Sequence, residues 1–137
     1  MLLFDTTFVL DLSRSESGAV RLAEETVAGS QTAAISVVSA YEYLLGVHNK
    51  FGAESDEKLQ GRLALAKSQI EKFEVVPLTL DVINVSAGLQ AQLQRAGKKI
   101  GVNDLYIAST ALAMDLRLVT RDKRGFGGVP NLRIESY

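Results

Sequence analysis

The chain has 137 residues, 47% of them hydrophobic and 23% charged, with a net charge of −1 and no cysteine. That length suits one domain, residues 1–137, able to bury roughly two-thirds of its unfolded surface. The composition excludes a disulfide scaffold, a thiolate metal site and a uniformly basic nucleic-acid binder, and it is consistent with a reducing cytoplasm.

The first twelve residues, MLLFDTTFVLDL, are apolar but lack a basic leader and are interrupted by Asp5 and Asp11. They are too short to span a bilayer, so no membrane partner is expected and the run is read as a strand at Leu2–Phe4. A short helix is predicted from Thr7 to Leu12. A second is predicted from about Ser15 to Ala28, with Val20 and Val27 on its apolar face. Thr32–Val38 reads as the next strand. Ser39 then opens a helix with Glu42 three residues on, matching a capping box. Gly52 and Ala53 break that pattern, and Ser55 caps a longer helix whose stripe Leu59, Leu63, Ala66, Ile70 and Phe73 follows helical spacing. These two helices are expected to form an antiparallel hairpin around residues 40–71, a candidate surface for dimer or partner contacts.

Glu74–Leu78 is a strand cut short by Pro77. Thr79 or Asp81 caps a helix bearing Val82, Val85, Leu89 and Leu93, ended by Gly97 in a left-handed cap. Asn103 and Asp104 open a strongly apolar helix through Met114. Leu116–Thr120 and Leu132–Ile134 complete the strands. From residue 92 onward there are eight basic against four acidic residues, a local +4 that leaves −5 elsewhere. Strands alternating with helices predict a three-layer α/β/α domain with a central, mostly parallel sheet flanked by helices.

In such a fold the strand exits gather along one rim. Asp5, Glu42, Asp104 and Asp122 each stand where an apolar run ends or a helix begins. Each has a structural explanation when taken alone. Asp5 can cap the short helix, Glu42 can complete its box, Asp104 suits the positive end of a helix dipole, and Asp122 sits in a polar turn. Together they predict convergence. Two carboxylates about 4 Å apart repel by roughly 4 kcal/mol at an effective dielectric of 20. A converged set must therefore bind cations or hold protons. Oxygen-only ligands favour Mg²⁺ or Mn²⁺, and such a site suits attack of water on a phosphodiester, with one ion or two. Thr120 could orient a neighbouring carboxylate.

Other chemistries have little to draw on. His48 is the only histidine and is read as solvated; neither GxxxxGK[ST] nor GxGxxG occurs. Gly125, Gly127 and Gly128 read as a turn after Asp122. Tyr41, Tyr43 and Tyr106 could stack on bases but more simply belong to the core. An aspartyl-phosphate phosphatase using Asp5 would want a second Asp two residues on, where Thr7 stands.

Leu3–Leu10 (LFDTTFVL) and Ser36–Gly46 (SVVSAYEYLLG) resemble the first two motifs of PIN-domain nucleases. Gly101–Ala111 (GVNDLYIASTA) resembles the third, and Leu118–Asp122 (LVTRD) followed by Phe126 the fourth. Taken in order, the four span nearly the whole chain. The compact length and the Glu-x-x-x-Gly segment look most like VapC proteins, the toxin halves of VapBC toxin–antitoxin pairs. The resemblance implies an endoribonuclease dependent on Mg²⁺ or Mn²⁺. Asp5 and Asp104 would be the principal metal ligands, Glu42 and Asp122 would complete the site directly or through water, and Thr120 would lend a supporting hydroxyl. It also implies an RNA substrate, a VapB-like antitoxin and a homodimer. Arg121 and Lys123 flank Asp122 where several relatives carry a further acid. The alternatives are an RNA-processing nuclease without an antitoxin and an inactive PIN-like docking domain.

Overall fold

A computed structural model of the chain describes Met1–Tyr137. Five short strands form one sheet: β1 (Leu2–Phe4), β2 (Ala33–Ser36), β3 (Glu74–Val76), β4 (Arg117–Val119) and β5 (Ile134–Glu135). Their spatial order is β3-β2-β1-β4-β5, and every neighbouring pair is parallel. Seven helices cover the sheet: α1 (Thr6–Ser13), α2 (Ser17–Ala28), α3 (Val37–Phe51), α4 (Asp56–Ile70), α5 (Leu80–Arg95), α6 (Val102–Ala113) and α7 (Lys123–Phe126).

The two-residue side-chain alternation of a strand produces the layers. Leu3, Ala34 and Leu118 point to one face and pack with Leu89 and Leu93 of α5 and Leu105, Ile107, Ala108 and Ala111 of α6. Leu2, Phe4, Ile35 and Val119 point to the other, against Phe8 and Val9 of α1, Ala19 of α2, Ala40 of α3 and Ile70 of α4. There Phe4, Phe8 and Phe73 form a ring cluster, with the Phe4 and Phe8 centroids 4.2 Å apart. The three-layer α/β/α expectation is the observed architecture.

Differences from the expected elements are local and have local causes. The second strand stops at Ser36, not Val38, because the Ser36 hydroxyl accepts the Val38 amide at 3.1 Å and caps α3. Ser39 therefore lies inside the helix and makes no capping box with Glu42. Its hydroxyl is buried without a hydrogen-bond partner. On α2, Val27 is 78% exposed. The buried side of that helix carries Ala19 and Thr26, with Leu22 and Ala23 packed against the same core. Of the glycines after Asp122, Gly125 belongs to a single helical turn, α7, while Gly127 and Gly128 form the expected turn beyond it. Helix α6 starts at Val102, just ahead of Asn103. The Ser55 and Thr79 caps and the left-handed Gly97 (φ 68°) follow expectation. His48 and Tyr41 are exposed, while Tyr43 and Tyr106 pack against the two cores.

Candidate functional site on the acidic rim of the sheet

The strand register sets the site. Phe4 pairs with Ile35 on one side and Val119 on the other, so β1 and β4 end level and β2 runs one residue further, to Ser36. The residues that follow them share one edge. The Asp5 amide donates to Val119 O at 2.9 Å, which ties the first strand exit to the fourth.

Asp5 is both a helix cap and a member of this rim. Its Oδ1 accepts the Thr6 amide at 2.7 Å. Its Oδ2 accepts the Thr120 hydroxyl at 2.9 Å and the Thr7 hydroxyl at 3.1 Å. The side chain is almost wholly buried, at 4% exposure. Burial raises its pKa above the ordinary carboxylate value, the Thr120, Thr6 and Thr7 bonds pull it down, and the charge of Glu42 raises it again.

Glu42 sits in the second turn of α3, six residues beyond the end of β2. Its Oε1 accepts the Thr6 hydroxyl at 2.7 Å. Helical geometry carries it back over the rim toward Asp5, so its partner is a side chain of α1 and not the amide of its own helix. Asp104 occupies the first turn of α6. It is half-buried, and its pKa is raised to about 6 by burial first and then by the charges of Asp5, Glu42 and Asp122. All three other acids thus lie within electrostatic reach of Asp104.

Asp122 caps α7, its Oδ1 accepting the Gly125 amide at 3.1 Å. Its own amide donates to the Thr120 hydroxyl at 3.0 Å. Thr120 is fully buried and thus links Asp122 to Asp5 through one oxygen. Gly125 makes room for this arrangement. A Cβ there would stand 2.7 Å from Asp122 Oδ2 and 3.4 Å from Asp104 Oδ2. Three participants escaped the sequence reading: Thr6, Thr7 and Gly125. The available signal was the Asp5-Thr6-Thr7 run, where hydroxyls adjoin a rim carboxylate, and a glycine three residues after Asp122.

None of the four acids is in an ion pair with a lysine or arginine. Arg121, next to Asp122 in sequence, turns instead to the buried Asp11 at 2.8 Å. Asp11 also accepts the Tyr137 hydroxyl at 2.6 Å. The rim is thus negative and uncompensated, with donors that are all oxygen, which suits a hard divalent cation. No group of three or more His, Cys, Asp or Glu side chains forms a ready-made cage, so the acids share a rim and not a closed coordination shell. A cation fitting here would be held by few protein oxygens and complete its shell with water, as Mg²⁺ does readily.

The PIN domain model matches residues 2–131. The chain belongs to the PIN domain family. Within it the likeness is to VapC proteins. Ribonuclease VapC2 of Rickettsia felis is 31% identical over 113 residues, 82% of this chain and 80% of the relative. The crystal structure of Rickettsia felis VapBC2 bound to a DNA fragment from their promoter contains a similar chain, 27% identical with a TM-score of 0.82, covering 99% of this chain and 98% of that one. DNA-bound VapBC from Salmonella typhimurium matches over the same shares at 25% identity and a TM-score of 0.82.

Proposed function

We propose that residues 1–137 act as one PIN domain and as an endoribonuclease, the toxin of a VapBC-type toxin–antitoxin pair. The observation that carries the reading is the convergence of Asp5, Glu42, Asp104 and Asp122 on one rim with no ion-paired cation, linked through Thr6, Thr120 and Gly125. The naming of similar chains as VapC ribonucleases, and their presence in VapBC complexes, supports RNA as the substrate and a VapB-like antitoxin as the partner. A homodimer is part of the same proposal.

Asp5 and Asp104 are assigned as principal ligands of a divalent cation, Mg²⁺ or Mn²⁺, with Glu42 and Asp122 completing its surroundings directly or through water. When bound, such an ion lowers the pKa of water and neutralises charge on the phosphoryl oxygens. The protein's own part is positional. Thr120 and Thr7 fix the Asp5 carboxylate, Thr6 fixes Glu42, and the α7 turn fixes Asp122. Attack of water at phosphorus breaks the P–O3′ bond, leaving a 5′-phosphate and a 3′-hydroxyl. The same proposal places its action in the cytoplasm; no helix is long and apolar enough to cross a membrane.

The test is cleavage of total RNA by the purified chain with Mg²⁺ or Mn²⁺, with products mapped at both ends. Asp5→Asn and Asp104→Asn should abolish cutting and weaken Mn²⁺ binding while keeping the fold. Undiminished cleavage by Asp104→Asn in excess EDTA would reject the mechanism. Co-purification with the product of an adjacent short reading frame, and loss of cleavage in that complex, distinguishes a toxin from a nuclease without an antitoxin.

A further inference from the structure

The charge of the whole molecule is −1, so its overall field does not attract a polyanion. With no metal ion bound, attraction for backbone phosphates has to come from local cations that the protein leaves unpaired. Of the 15 lysines and arginines, five are in ion pairs: Arg21, Lys58, Arg117, Arg121 and Arg133. Six of the remaining ten line two clefts, one with Glu42 in its wall and the other with Gly125.

The first cleft, about 440 Å³, lies between α1, α3 and α4 and carries Arg14, Lys50 and Arg62, with Glu42 in its wall. Two of these three cations, Lys50 and Arg62, stand over the Phe51 ring, joined there by Lys58 from outside the cleft. The Arg62 guanidinium stands 4.8 Å from the centroid of Phe51, with the Lys50 ammonium at 5.4 Å and that of Lys58 at 5.8 Å. The ring quadrupole offsets the mutual repulsion of these cations. Only Lys58 among them has a carboxylate partner, Glu54 at 2.7 Å.

The second cleft, about 220 Å³, carries Lys98, Lys99 and Arg124, with Gly125 in its wall. Gly125 is the residue that backs Asp122 and Asp104. The sheet order separates the clefts. Glu42 follows β2 and Gly125 follows β4, with β1 and Asp5 between them. The first cleft also belongs to the α1–α4 layer and the second to the α5–α7 layer.

We propose that these two clusters of unpaired cations hold backbone phosphates of one RNA strand on either side of the acids, so that the strand must cross the rim between them. The proposal rests on the endoribonuclease reading and assigns that site its substrate-binding residues. An acidic protein segment would need only one cleft. A polyanion with charge at every residue can engage both at once, because the two clusters lie on opposite sides of Asp5 in the order of the sheet.

Binding of a fluorescein-labelled single-stranded RNA is measured by anisotropy from 50 to 300 mM KCl, on an Asp104→Asn background in EDTA so that nothing is cut. Each contact on a single strand contributes about 0.7 to the slope of log affinity against log salt. Arg14→Ala/Lys50→Ala/Arg62→Ala should therefore lower the slope by about 2 and weaken binding on the order of tenfold or more at the lowest salt. Lys98→Ala/Lys99→Ala/Arg124→Ala should do the same. The charge-matched control Lys67→Ala/Lys72→Ala/Arg95→Ala, made from unpaired cations outside both clefts, should leave the slope unchanged. With Asp104 intact, the two cleft variants should raise the KM for RNA more than they lower kcat.

Equal losses in the control, or unchanged slopes in the cleft variants, overturn the inference. So does a cleft variant that loses affinity for a poly-glutamate peptide but keeps it for RNA, which would mark a protein-docking face. Absence of RNA cleavage by the wild-type chain is a separate result and defeats the functional reading itself.

Discussion

Replacing Asp104 by Asn should stabilise the protein when no divalent cation is present. In the folded chain this carboxyl has a pKa of about 6, against an ordinary value of 3.8. A rise of about two units corresponds to roughly 3 kcal/mol between the protonation states. Because the group is only half-buried, solvent screening reduces this to about 1–2 kcal/mol. The sign follows from linkage. A carboxyl whose folded pKa lies above its unfolded value favours folding most below the unfolded value, and that contribution disappears as the pH rises through the folded one. The wild type should therefore lose about 1–2 kcal/mol from this group between pH 4 and pH 7, a loss the amide does not suffer. Urea unfolding in EDTA should give nearly equal stabilities for wild type and Asp104→Asn at pH 4. The variant should pull ahead as the pH rises to 7. Adding Mg²⁺ should narrow or reverse the gap by stabilising the wild type alone. A variant that is less stable in EDTA at pH 7, or a difference that ignores pH, would refute the argument that Asp104 is held against the charge of its neighbours.

Thr120→Val removes a bond to a buried carboxylate and leaves the Asp122 amide without its acceptor. It should destabilise the fold by about 2–4 kcal/mol in urea titration, with Thr120→Ser recovering most of the loss. Gly125→Ala places a methyl against Asp122 and Asp104. RNA cleavage should fall at least tenfold while the far-UV spectrum is unchanged, and full activity would show that the acids tolerate displacement. Ser39→Ala deletes a buried hydroxyl that has no partner, so thermal unfolding should show a gain of about 1 kcal/mol; a loss would mean that the hydroxyl is satisfied in solution.

The sequence carried the layers and the acids because both are written in short-range pattern. Three of the five strands are three residues long, yet their flanking caps and apolar faces mark them: Leu2–Phe4 before Asp5, Glu74–Val76 before Pro77, Arg117–Val119 before Thr120. Repetition of strand and helix was enough to predict a parallel sheet, since parallel neighbours need a crossover between them. Motif order singles out Asp5, Glu42, Asp104 and Asp122. Helix starts were less secure. Ser36 and Ser39 are equally good caps by residue type, and burial of Ser39 and Ala40 decided between them. Val27 has the right type for a core position, but α2 docks through Ala19 and Thr26.

Residue type and spacing by themselves determined that this chain folds into alternating strands and helices with carboxylates at the strand exits. They could do so because helix caps, strand alternation and apolar runs act over a few residues. Only the tertiary structure decided what each carboxylate faces. Glu42 meets a threonine 36 positions away, Thr120 bonds an aspartate 115 positions away, and Arg121 turns from the rim to Asp11. Those partners are set by the register that brings the ends of β1, β2 and β4 to one edge and by the packing of α1 against α3. They are consequences of register and layer contact, which no local run of sequence encodes.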